Sequence, residues 1–173
     1  MAKKGLLRML IRDVKISDAR EITAIYRRYV TDNAVSFELE PPDEVEMARR
    51  IAKVTKEYPW IVMEEDGDVL GYAYAGRFRE RKAYDPTSEL SVYVADVHHR
   101  KGIGKALIEE LIERLKAMGI YTVIAGVTLP NPGSVALVES FGFRHVGTFE
   151  NVGRKFGKWY SVAMFSMNIR DYD

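Results

Sequence analysis

Residues 98–105 read His98-His99-Arg100-Lys101-Gly102-Ile103-Gly104-Lys105. Two glycines one residue apart let the backbone approach a bulky anion, and three basic side chains stand around them. A β-branched and aromatic run, Leu90-Ser91-Val92-Tyr93-Val94, leads into the loop, and a periodic apolar pattern starting near Ile103 leads out. A strand, a Gly-x-Gly loop and a helix start together form an anion site. The first amides of a helix lack intrahelical partners, and the helix dipole adds partial positive charge at that end. The chemistry indicated is binding of a polyphosphate by the amides from Arg100 to Lys105, with Arg100, Lys101 and Lys105 supplying whole charges. A plainer reading stands beside it: Gly102 and Gly104 as a bare strand-to-helix turn, Lys101 and Lys105 as solvated charges.

The elements that must position this loop follow from periodicity and punctuation. Leu10 to Val14 reads as a strand, and Ser17 or Asp18 as the cap of a helix to about Val30, with Ile22, Ile25, Tyr26 and Tyr29 on one face. Residues 33–40 read as irregular or extended. Pro41-Pro42 end that stretch, and Asp43 caps a second helix to about Glu57. Two strands, Trp60–Glu64 and Val69–Ala75, flank Asp66-Gly67, a hairpin signal. Gly76 to Pro86 reads as a charged loop and Thr87 to Val94 as a strand. A helix from Ile103 to Met118 ends at Gly119. Then come a strand from Tyr121 to Thr128, a short helix from Ser134 to Ser140, and strands Arg144–Glu150 and Trp159–Ile169 joined by a turn at Gly153–Lys158. The order is β-α-α-β-β-β-α-β-α-β-β. Three successive strands do not suit a purely parallel doubly wound sheet. The expected fold is α/β of mixed α+β character: a central mixed, mostly antiparallel sheet with helices on both faces.

Composition narrows the partners. With 173 residues the chain is long enough for one domain with a substantial core, expected over 9–173, with 1–8 as a flexible extension and Met9 as an alternative start. A net charge of +1 gives no bulk attraction to nucleic acid or to a membrane surface. The absence of cysteine excludes disulfides, thiolate metal sites and a cysteine nucleophile. No clustered acids suggest a metal site, so none is expected. No apolar run reaches the ~18 residues of a membrane span, and no signal peptide is evident, so cytoplasm is the default location. A dinucleotide fingerprint needs a third glycine where Leu107 stands and an acid roughly 20 residues on, where Val123 to Val127 carry none. A Walker loop needs a hydroxyl where Ala106 stands.

These residues resemble the GNAT superfamily of acetyl-CoA-dependent N-acetyltransferases. The superfamily signature Gln/Arg-x-x-Gly-x-Gly/Ala falls on His99-Arg100-Lys101-Gly102-Ile103-Gly104, with His99 a departure at its first position. The chain is more closely similar to the phosphinothricin and methionine sulfoximine acetyltransferase group. That likeness lies in Val35-Ser36-Phe37-Glu38-Leu39-Glu40-Pro41, Tyr72 to Gly76, Ala83-Tyr84, Glu89 to Val94, Leu129-Pro130-Asn131 and Gly157-Lys158-Trp159.

The resemblance implies roles that the residues alone do not settle. Acetyl-CoA would be the co-substrate, without a metal. Its arm would lie along Val92, Tyr93 and Val94, and Asn131, otherwise a turn residue between two prolines, would bond to it. Glu89, otherwise a solvated strand-end acid, would be the base that takes a proton from the attacking amine. The group usually places a histidine as proton donor where this chain has Val138. Water, Tyr84, Tyr93, a histidine from elsewhere or unassisted departure of the thiolate are alternatives between which the sequence does not choose. Arg77, Arg79 and Arg81 are candidates for the carboxylate of an amino acid. Phe37, Phe78, Tyr84 and Trp159 would wall its side chain, and His98 and His145 read as structural. Tyr160 and Ser161 depart from what relatives often carry. A homodimer is implied. The expected reaction is direct acetylation of the α-amine of a small amino acid or analogue. Acetylation of a protein N-terminus and a non-catalytic CoA sensor are the rival readings.

Overall fold

The computed structural model describes residues 9–172, and the extension expected at 1–8 lies outside the described residues. The chain order is β1 (Leu10–Asp13), α1 (Ala19–Thr31), α2 (Glu44–Val54), β2 (Trp60–Glu65), β3 (Asp68–Arg77), β4 (Thr87–Val94), α3 (Ile103–Ala117), β5 (Thr122–Leu129), α4 (Pro132–Ser140), β6 (Arg144–Lys155) and β7 (Lys158–Asn168). The strands form one sheet in the order β1-β2-β3-β4-β5-β7-β6. Among the described strands only the β4–β5 pair is parallel. The expected mixed, mostly antiparallel sheet is therefore present, and its element order is the one read from the sequence.

Strand alternation divides the apolar residues between two faces. Ile61, Ala73, Leu90, Val123 and Phe165 pack with Leu107, Ile108, Leu111 and Leu115 of α3. Trp60, Val62 and Tyr72 pack with Ile22 and Val30 of α1 and with Met47 and Ile51 of α2. The four α3 residues are fully buried, each worth about 1.5–3 kcal/mol relative to exposure. Helix α3 is thus a rigid post, and the loop at its N-terminus is held by the main core.

Several local expectations hold for the stated reasons. Asp66 (φ 53°) and Gly67 (φ 96°) make the tight β2–β3 turn. The Asp43 carboxylate accepts from the Glu46 amide at 2.8 Å and caps α2. Gly119 (φ 86°) ends α3, where the Ile120 amide donates to the Leu115 carbonyl at 3.0 Å. Others do not hold. Asp18 does not cap α1 with its side chain: its carboxylate accepts from both terminal Arg12 nitrogens (2.8 and 2.9 Å) and from the Lys15 amide (2.7 Å). Helix α4 starts at Pro132 rather than Ser134, and its cap is Asn131, whose side-chain oxygen accepts from the Ser134 amide at 3.1 Å. Strand β6 runs on to Lys155, so the turn expected at 153–158 shrinks to Phe156 and Gly157, both with positive φ. The glycine at 153 suggests a turn but serves as a flat site on the strand.

Candidate active site

Strands β4 and β5 pair at Thr87–Thr122, Ser88–Val123 and Glu89–Ile124 and then part. The remaining five residues of each strand diverge, so the sheet opens into a cleft that begins at Glu89. The Pro86 carbonyl accepts from the β5-side amides of Tyr121 and Thr122 (2.8 and 3.3 Å), while the Ala95 amide donates to Leu70 of the β3 side at 2.9 Å. Alternation therefore turns the backbone groups of Ser88, Leu90, Val92 and Val94 toward β5 and those of Glu89, Ser91 and Tyr93 toward β3.

This sorts the three residues expected to line the arm of the acetyl donor. The Val92 groups face the open cleft. Tyr93 instead pairs with Tyr72 of β3, and its ring packs edge-on against Tyr26 and Tyr29. Val94 faces the cleft but is already engaged. The Tyr29 hydroxyl donates to its carbonyl at 2.6 Å and accepts from its amide at 3.3 Å. His99 Nε2 lies 2.9 Å from the same carbonyl and 3.0 Å from the Tyr29 oxygen. The departure at the first signature position thus ties the glycine loop to α1, a role that the sequence did not disclose.

The cleft opens onto the N-terminus of α3. Gly102 sits in the left-handed region (φ 81°, ψ 0°) and precedes the helix without capping it. The first bond of α3 runs from the Ala106 amide to the Gly102 carbonyl at 3.0 Å, leaving the Ile103, Gly104 and Lys105 amides without helical partners. Arg100 also has positive φ (62°), a conformation that costs a non-glycine residue energy and recurs at functional loops. Arg100, Lys101 and Lys105 are exposed around these amides. Gly104 packs toward the core: a Cβ there would lie 3.5 Å from Leu137 and 3.6 Å from Val94. The donor set suits a diphosphate: three free amides, a helix dipole and three bases.

Glu89 stands where the cleft begins, on the α1/α2 face, half-buried opposite Gly76 of β3. Burial pushes its carboxyl above the usual carboxylate range. Its Oε1 lies 3.7 Å from the position that a Cβ of Gly126 would occupy. Gly126 was missed in the sequence, although an isolated glycine in an apolar strand signals close approach. Val138 is buried in the main core at 4% exposure and carries no titratable group.

The loop after β3 starts beside Glu89, because Gly76 pairs with it. Arg77, expected in that loop, is the last residue of β3, and its guanidinium is taken up by Glu57 (3.0 Å) and Asp85 (3.2 Å). The Arg79 guanidinium lies 5.0 and 5.4 Å from the ring centres of Phe78 and Tyr84, which meet edge-on at 5.7 Å. Stacking of this kind leaves the edge N–H groups free to donate. The Arg81 side chain is exposed and makes no hydrogen bond or ion pair among the described residues, while its carbonyl accepts from the Tyr84 amide at 2.9 Å. The Asn131 side-chain oxygen serves the α4 cap, which leaves its NH2 group for other partners. Phe37 packs over Gly153, where a Cβ would overlap its ring, and lies 6.4 Å from the Tyr160 ring. His145 bonds Thr148 (2.8 Å), and His98 lies 3.3 Å from Lys101 Nζ. Trp159 stands 62% exposed on the β-arm.

Residues 11–164 match the acetyltransferase (GNAT) domain family. A phosphinothricin N-acetyltransferase of Streptomyces viridochromogenes is 36% identical over 163 residues, 94% of this chain and 87% of that protein. An L-methionine sulfoximine/L-methionine sulfone acetyltransferase of Pseudomonas paraeruginosa is 34% identical over 92% of this chain and 94% of that one. Among solved structures, a GNAT superfamily phosphinothricin acetyltransferase from Sinorhizobium meliloti, in complex with AcCoA, superposes with a TM-score of 0.89 at 40% identity, covering 92% of this chain and 88% of that one. Parted strands, a glycine loop at a helix start and agreement along nearly the whole chain converge, and the protein belongs to the GNAT family of N-acetyltransferases.

Proposed function

We propose that the protein transfers an acetyl group from acetyl-CoA directly to the α-amine of a small amino acid or analogue of the phosphinothricin, methionine sulfoximine or methionine sulfone type. The observation that carries this reading is the parting of β4 and β5 at a half-buried carboxylate, Glu89, beside the free amides of α3. Acetyl-CoA supplies an activated thioester when bound. Its diphosphate suits the amides of Ile103, Gly104 and Lys105 and the side chains of Arg100, Lys101 and Lys105. Its arm suits the Val92 edge, and the Asn131 NH2 group, just past the end of β5, is a further donor.

Glu89 takes the proton of the attacking amine, directly or through one water. Burial holds its proton affinity closer to that of an amine's working range than a solvated carboxylate would have. Arg79 and Arg81 bind the acceptor carboxylate, while Arg77 braces the base of the loop. Phe37, Phe78 and Tyr84 wall the side chain. With a core valine at 138, the departing thiolate is protonated from water rather than from that helix. Residues 9–173 act as one domain. The protein works as a cytoplasmic homodimer, and the edge strand β6, with Val146, Phe149 and Val152 exposed, is the face available for pairing.

The test is thiol release from acetyl-CoA with a panel of free amino acids, the three analogues and N-terminal peptides. Turnover with free amino acids or analogues is expected. Turnover with peptides alone, or tight CoA binding without any turnover, would replace this reading with one of its rivals.

A further inference from the structure

The segment between α1 and α2 has no regular structure from Ala34 to Glu40, yet it is pinned at four successive residues. The Val35 carbonyl accepts from Thr128 Oγ1 of β5 at 3.3 Å. Ser36 is held three ways. Its hydroxyl meets the buried Tyr26 hydroxyl at 2.7 Å, its amide donates to the Tyr29 carbonyl at 3.2 Å, and its carbonyl accepts from Lys155 Nζ at 2.6 Å. Phe37 lies on Gly153. The Glu38 amide donates to the Ser36 hydroxyl at 3.1 Å, and its carboxylate takes both terminal Arg50 nitrogens at 2.7 and 3.2 Å.

Lys155 is the unusual member. A lysine at 3% exposure needs a reason to be buried, because removing its ammonium from water is costly without partners. Its partner here is a backbone carbonyl 119 residues away, and Glu38 is the facing charge. The ammonium therefore joins the far end of the β6–β7 arm to the α1–α2 segment. Strand β6 is shaped for this: its register against β7 slips between Phe149 and Gly153, which curves the arm over the segment.

We infer that Lys155 and the Glu38–Arg50 pair are positioning residues that hold Phe37 on Gly153 and so set the size of the acceptor pocket. This rests on the reading of Phe37 as a wall of that pocket. The side chains of Lys155, Glu38 and Arg50 bond to Ser36, to one another and to Glu46, and to nothing on β4 or the glycine loop among the described residues, so the effect belongs to the acceptor alone.

The experiment compares Phe37→Ala, Lys155→Met, Glu38→Gln and the double variant Phe37→Ala/Lys155→Met with the parent, using the best acceptor of the panel. Each single variant should raise the acceptor KM by about tenfold and leave the acetyl-CoA KM within about twofold, since one charge-assisted bond or one aromatic wall is lost. The double variant should be no worse than Phe37→Ala, because both act through one ring. Glu38→Asp should recover part of the loss. If Phe37→Ala raises the acceptor KM while Lys155→Met and Glu38→Gln do not, the positioning role is wrong and the pocket reading stands. If Phe37→Ala has no effect, both are wrong. Glu38 is half-exposed, so Glu38→Gln keeps the question open to test even should Lys155→Met fail to fold.

Discussion

The two walls of the cleft are built in opposite ways. The proposed donor wall, β4 through the glycine loop into α3, uses residues close in sequence and would recognise its ligand mainly with backbone groups. The acceptor wall we propose draws on the 34–40 segment, the 78–84 loop, Gly126 and the β6–β7 arm, and it would work mainly with side chains. Glu89 stands where the two meet. A backbone cradle resting on a helix with a buried apolar face tolerates changes of side chain but not of φ. A wall of distant side chains tolerates neither the loss of one pin nor the filling of one glycine. Donor recognition is therefore expected to be robust and acceptor choice easily altered.

The largest effect should come at the junction. Glu89→Gln should lower kcat on the order of 10²-fold or more with the acetyl-CoA KM unchanged, measured by thiol release. Because burial raises the carboxyl above its usual range, the acid limb of the parent's pH–rate profile should also lie above that range. That limb should disappear in the variant. Stability has the same sign: the folded state holds this proton more tightly than the unfolded chain. The stability present below the unfolded pKa should thus decline as pH rises through the raised folded value, and Glu89→Gln should flatten that decline.

The next effect probes the donor wall. A Cβ at Gly102 would meet nothing within 4 Å, so Gly102→Ala isolates the cost of a left-handed φ. It should destabilise by about 1–2 kcal/mol in thermal melts and raise the acetyl-CoA KM, leaving the ranking of acceptors intact. A change in that ranking would break the separation between the walls.

Two arginines of one loop give a smaller contrast. Arg81→Ala should raise the acceptor KM about threefold to tenfold, as expected for loss of a charged contact to a carboxylate. Arg77→Ala should change it by about twofold or less, because Arg77 already serves Glu57 and Asp85 at the surface. The smallest effect is expected for Lys105→Ala. It should weaken acetyl-CoA binding by about twofold to threefold at low salt and less at high salt, with the amide contribution untouched.

The donor wall was largely legible in the sequence because its determinants are local. Gly102 and Gly104, the apolar period of α3 and the strand before them sit within about thirty residues, and each follows from rules of one helix or one strand. The acceptor wall was only partly legible. Phe37 and Arg79 could be named as residue types suited to the chemistry, but the sequence did not indicate that Gly153 is a seat for Phe37 or that Lys155 reaches back to Ser36. It also did not indicate that Arg77 is occupied or that His99 closes onto Val94 with Tyr29. Each of these depends on a contact across tens of residues or more.

By itself, the chain's sequence determined the element order, the two-faced sheet and the glycine-rich start of α3. These rest on alternation, helical period and the conformational freedom of glycine, all of which act over a few residues. Only the tertiary structure decided where β4 leaves β5, which amides remain free, and which charges face the cleft rather than one another. Those outcomes depend on strand register and on burial, and both are set by the packing of the whole sheet against its two helical layers.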